Sequence, residues 1–216
     1  MHARLSGFYS DRFGREAITL DYSEGTWRTE IRGVAFRGSL DELCPQEPLP
    51  PGAPFVLYEA DDLCSCTFEW TLPVLLDGPT HVRAAELACT LIVGDPNDIS
   101  QELRLVLREE GAAIVAAVIT DHNFEDGMWQ LTRQSLPPGV SLRACATCRL
   151  ADYYVYTGSP FFGGLGCFRD SQTELLAARA ARNKPALARA WINHAERVLE
   201  THACPDYSAR TPPVSQ

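Results

Sequence analysis

The chain has 216 residues, 45% apolar and 22% charged, enough to bury a substantial core in one large or two small units. Its net charge of −9 is uneven: residues 1–140 carry 10 basic and 22 acidic side chains, residues 141–216 carry 9 and 6. An acidic first part repels phosphate backbones, so nucleic acid is excluded as the default partner. The longest apolar run, Ala112–Ile119, is too short for a bilayer, and the opening "MHARLSGFYSDRFGRE" lacks the apolar segment of a secretion signal.

Those features predict a cytoplasmic protein, in which eight cysteines act as thiols, metal ligands or redox groups rather than as structural disulfides. Arginine outnumbers lysine eighteen to one, a usage associated with GC-rich bacterial genomes.

Along the first 120 residues the dominant signal is period-two alternation, the mark of half-buried strands. "EAITLDY", "WRTEIRGVAF" (27–36), "CSCTFEWTL" (64–72) and "ELRLVLR" follow it, and "SEGT" (23–26) reads as a hairpin turn. "CPQEPLPPGAP" (44–54) is an extended proline-rich loop. "AAIVAAVI" reads as a strand covered on both faces. In "NFEDGMWQLTRQS" (123–135) the period changes: Phe124, Met128 and Leu131 recur at helical spacing, with Asn123 as N-cap. "VSLRA" is a short strand leading to Cys145.

Beyond Cys167 the pattern is helical. "SQTE" (171–174) has the form of a capping box. Asn183 and Pro185 open a second helix, on which Leu187, Trp191, Ala195, Val198 and His202 form one stripe, ending before Cys204-Pro205. Residues 208–216 read as a frayed tail. The expectation is an α+β fold: a β-rich, two-layer body over 1–136, a C-terminal region over 137–207 ending in two helices, then the tail.

Cys64, Cys66 and Cys89 lie on apolar faces of strands and read as core filling, and Cys44 carries no signal. Cys145, Cys148, Cys167 and Cys204 instead sit at element boundaries, spaced C-x2-C-x18-C-x36-C. Two thiolates of a C-x-x-C turn converge on one cation, and two more complete the tetrahedron zinc prefers. The four are therefore the expected ligands of a structural zinc ion, with His202 as competitor for the fourth position and His194 a more distant one. The intervening "RLADYYVYTGSPFFGGLG" has too few aliphatic residues to build a core alone, and a metal clamp would supply that stabilisation. Its tyrosines and phenylalanines are expected to pack around the clamp or onto the body.

A redox pair at Cys145 and Cys148 wants a following helix, and "RLADYYVYTG" does not form one. His194-Ala195-Glu196 matches the H-x-E of zinc deaminases, but the cysteine pair precedes it instead of following. "DHNFED" (121–126) is explained by a turn and a helix cap.

The C-terminal third, "LPPGVSLRACATCRLADYYVYTGSPFFGGLGCFRD" with "ERVLETHACPDY", resembles an uncharacterised bacterial domain family with the pattern C-x-x-C…D-Y…F-G…C-F-R, then E-T-x-x-C-P. The resemblance covers roughly 129–207, points to the same four cysteines, and also marks Asp152, Tyr153, Gly163 or Gly164, Phe168 and Arg169. It implies no named activity. The leading expectation is a non-catalytic protein with structural zinc that binds another protein, in an accessory or immunity-like role in a bacterial gene cluster. The alternative is a small-molecule enzyme of a biosynthetic pathway, with Asp152, Tyr153 or Arg169 as its catalytic groups.

Overall fold

The structure, a computed structural model, describes residues 1–210 except 60, 121–123, 134–135 and 157–161, and leaves out the side chains of 98, 99, 120, 133 and 194. Two antiparallel meanders make the body. The first comprises β1 (His2–Asp11), β2 (Gly14–Ser23), β3 (Thr26–Ile31), β4 (Val34–Ser39) and β5 (Glu42–Pro45). A small hairpin, β6 (Leu57–Tyr58) and β7 (Asp62–Leu63), follows the proline-rich loop. The second meander comprises β8 (Cys66–Asp77), β9 (Val82–Asp95), β10 (Asp98–Glu109) and β11 (Ala112–Thr120).

Pairing of β1 with β8, from Gly7↔Trp70 to Asp11↔Cys66, fuses the meanders into one sheet of order β11-β10-β9-β8-β1-β2-β3-β4-β5. A tenth strand, β12 (Ser141–Arg143), pairs with the far end of β8 at Leu75–Asp77. The strands of the body are thus joined by hydrogen bonds into one continuous sheet. Helix α1 (Phe124–Arg133) packs on it at β10 and β11.

Most of the alternation survives intact. Cys66, Phe68, Trp70, Leu72, Val74 and Leu76 of β8 are all buried, as are Cys64 and Cys89, and Phe124, Met128 and Leu131 face inward from α1. The predicted strand 27–36 is two strands. Arg32 and Gly33, both at positive φ, reverse the chain between β3 and β4, a conformation available to Arg-Gly at a hairpin tip. The strand expected to be covered on both faces, β11, is the sheet's edge; Ala112, Ala113, Ala116 and Val118 are exposed. Alternation cannot separate a doubly covered apolar strand from an apolar edge. Asn123 lies outside the described residues.

The C-terminal region adds a three-stranded sheet of order β13-β14-β15, from β13 (Ala151–Asp152), β14 (Leu165–Cys167) and β15 (Glu196–Val198), and two packed helices, α2 (Gln172–Ala180) and α3 (Lys184–His194). Asn183 caps α3 as expected, its Oδ1 accepting from the Ala186 amide at 3.0 Å. Ser171 stands at the N-cap of α2 but makes no capping hydrogen bond.

The long stripe reaching His202 is broken. The chain leaves the helix at Ala195 (ψ 124°), and Glu196–Val198 pairs with β14, so strand pairing overrides helical spacing there. Residues 208–210 are docked, not frayed. The Arg149 amide donates to the Ser208 carbonyl (2.7 Å) and the Arg210 amide to the Thr147 carbonyl (2.8 Å), while 211–216 lie outside the described residues. No helix among the described residues is long and apolar enough to cross a membrane.

Candidate functional site

The four boundary cysteines meet in one buried cluster. It comprises Cys145, Cys148, Cys167 and Cys204 together with Leu150, Ala151, Tyr153, Leu165 and Val198. None of the four is more than 8% exposed, and all are free thiols.

Their placement follows from local structure. Cys145 and Cys148 bracket one 3-10 turn (Cys145–Thr147), closed by the Cys148 amide donating to the Cys145 carbonyl at 3.0 Å. Cys167 ends β14, opposite Ala151 of β13. Cys204 follows a segment hydrogen-bonded along that turn: the Cys145 amide donates to the His202 carbonyl (3.2 Å) and the Ala146 amide to the Glu200 carbonyl (2.8 Å).

Backbone amides are already aimed at the sulfurs. The Leu150 amide donates to Cys148 Sγ at 3.4 Å, and the Arg169 amide bonds the Cys167 thiol, each from two residues downstream. Such bonds favour the thiolate. Burial pushes the Cys145 thiol well above its ordinary value, and the neighbouring Cys167, Cys204 and Cys148 push it further. Burial also raises Cys167, against the pull of the Arg169 amide. Among the described residues, no group of three or more His, Cys, Asp or Glu side chains has the arrangement of a metal site as the chain stands.

Beside the cluster lies a group that sequence reasoning missed. Glu200 is fully buried. Its carboxylate accepts from the Gly163 amide at 2.8 and 2.9 Å and from the Tyr153 hydroxyl at 3.0 Å. Burial dominates its protonation, pushing the carboxyl up to about 8 despite those donors. The loop it grips is bolted on from the other side as well. Trp27 Nε1 donates to the Phe162 carbonyl (2.9 Å) and Tyr22 to the Gly163 carbonyl (2.7 Å). Phe162 fills the body's core, its ring centroid 5.1 Å from that of Trp27 and 4.6 Å from that of Phe124. A charge inside "VLETH", within the quoted E-T-x-x-C-P pattern, was the available signal.

This constellation sits at the end of a β-body whose strands and first cysteine pair match one family profile, that of a family of unknown function, over residues 3–151. The chain belongs to DUF6304. No curated protein and no solved structure matches it. The DUF6304 match spans the ten-stranded body, α1, Cys145 and Cys148; Cys167 and Cys204 lie beyond it. It is therefore carried by the body and not by the four-cysteine pattern on which the sequence resemblance rested.

The remaining sequence candidates have separate partners. Asp152 is held by Arg179 at 2.7 Å and approached by Arg210 at 3.7 Å. Tyr153 is buried on Glu200. Arg169 is partly exposed, 3.6–3.8 Å from Asp170, Glu196 and Asp206. His202 is half-buried at the border of an apolar cavity. Glu196, the carboxylate of the H-x-E motif, is exposed on β15, not on the helix with residue 194. Phe161 lies outside the described residues, and Tyr154 packs on Trp191 at 5.2 Å.

Proposed function

We propose that this protein is a cytoplasmic, zinc-stabilised binding protein, in which Cys145, Cys148, Cys167 and Cys204 hold one structural zinc ion and the body engages another protein. The observation that carries the reading is the convergence of four free thiols from three separated chain segments into one buried cluster. A catalytic zinc keeps an open coordination position, whereas four thiolates closed off from solvent are the donor set of a structural one. The amides of Leu150 and Arg169 supply the outer hydrogen bonds that orient such ligands.

For partner binding, β11 is the best-suited surface. It is an uncharged nine-residue edge strand with Val118 55% exposed, and its unpaired backbone groups complement an extended, uncharged strand. The opposite edge, β5, is four residues long and ends in Pro45. The enzyme alternative draws less support, because Asp152, Tyr153 and Arg169 are engaged with different neighbours.

Elemental analysis of purified protein should give one zinc per chain, and X-ray absorption should give four sulfurs at about 2.3 Å. Metal-free yet fully ordered protein would overturn the clamp. A photo-crosslinking residue in place of Val118 should trap the partner chain, and its failure there against success elsewhere would move the interface.

A further inference from the structure

The core-facing positions of β1 are, by alternation, Ala3, Leu5, Gly7 and Tyr9, with Met1 just before the strand. Tyr9 and Gly7 are buried, but Leu5, Ala3 and Met1 are only half-buried despite facing the same way. The pairing register explains this. β1 and β8 run together from Asp11↔Cys66 to Gly7↔Trp70 and then part. Gly7 is their last close approach, since a Cβ there would stand 2.4 Å from the Glu69 carbonyl oxygen. β8 next has a partner on that side at Leu75, opposite Arg143 at the end of β12.

Between these two pairings the strands leave an open-sided apolar cavity of about 320 Å³. Leu72 and Val74 of β8 and Leu199 of the segment before Cys204 wall it opposite β1, and Thr201 and His202 bring hydrogen-bonding groups to its border. No lysine, arginine, aspartate or glutamate lines it among the described residues.

We propose that this cavity is a binding site for a neutral, medium-length alkyl compound carrying one hydrogen-bonding head group, an alcohol or amide. The size fits: ligand pockets begin at about 300 Å³, and an apolar cavity of about 150 Å³ takes a benzene, so this one takes roughly eight to ten carbons. The chemistry fits as well. An apolar wall rewards each methylene removed from water. A charged head group would lose its hydration with no counter-charge to receive it, in a chain that is itself at −9. The head group lies toward Thr201 and His202. The site adjoins the thiol cluster, since Met1 lines the one and packs against the other and Ala203 precedes Cys204, but no cysteine lines it among the described residues.

The test is calorimetric titration of the full chain with octan-1-ol and, in parallel, with octanoate. Octanol should bind saturably at one site per chain with Kd below about 1 mM, and octanoate at least about tenfold more weakly. Ala3→Trp and Leu5→Trp fill the cavity from its half-exposed wall and should each weaken octanol about tenfold with circular dichroism and Tm retained. Absence of saturable octanol binding overturns the assignment, as does octanoate binding equally well, or unchanged affinity in both folded variants. Should the variants not fold, a diazirine analogue of octanol decides. Labelling of the Leu5, Val74 or Leu199 peptides supports the site, and labelling elsewhere overturns it.

Discussion

Glu200 shows how one residue can hold two parts of a chain together and how that role can be measured. Its carboxyl, raised to about 8 by burial, keeps a proton in the folded chain that the unfolded chain releases near the ordinary value of 4.5. The folded state then binds more protons across that window, so stability is greatest below it and falls as pH rises toward 8, by up to about 1.4 kcal/mol per unit. Glu200→Gln should flatten this slope, as read from denaturant midpoints at a series of pH values; an unchanged slope would assign it to other groups. Its partner Gly163 is a position only glycine fills. It has φ +91°, and a Cβ there would stand 2.6 Å from the Tyr22 ring. Gly163→Ala should cost at least about 2 kcal/mol, because positive φ and a clash against a packed ring add. Urea unfolding checks it. The sequence marked Gly163 or Gly164 and Glu200 only as letters of a resemblance pattern; the fold alone places Glu200 under Gly163 and Tyr153.

At the scale of elements, local signals succeeded where the element is local. The Asn183 cap is a contact within four residues, and removing it with Asn183→Ala should cost about 1 kcal/mol. The similar-looking Ser171 gives the contrast. Its Oγ is buried without a hydrogen-bond partner among the described residues, so Ser171→Ala should be neutral or stabilising. Thermal melts of the two variants should therefore move differently, although the sequence offers both serine and asparagine as caps. The same distinction explains β15. The spacing of Leu187, Trp191, Ala195 and Val198 is helical, yet three backbone-paired residues opposite Leu165–Cys167 hold the last part extended. Period is a local property, and pairing with a strand some thirty residues earlier is not.

For the whole molecule, the C-terminal region is bound into the body at Leu142 of β12, Phe162 and Leu199, all of which belong to the body's core. The thiol cluster forms a second, smaller core beside it. Chelation of the proposed zinc, or Cys204→Ser, should therefore loosen β13–β15 and the docked 208–210 segment first. Hydrogen exchange should show early loss of protection there while β8–β10 stay protected; simultaneous loss throughout would mean that the clamp is not a separable unit. The amino-acid sequence by itself determined the β-rich body, the helix at Phe124–Arg133, the buried Cys64, Cys66 and Cys89, and the set of four cysteines at element boundaries, because alternation, capping and spacing act between near neighbours. Only the tertiary structure decided that β1 joins β8, that β11 is an open edge, that Glu200 is sealed in, and that β1 and β8 part beyond Gly7 to leave a cavity. Those outcomes depend on which distant strands win each other's hydrogen bonds, and no local pattern encodes that competition.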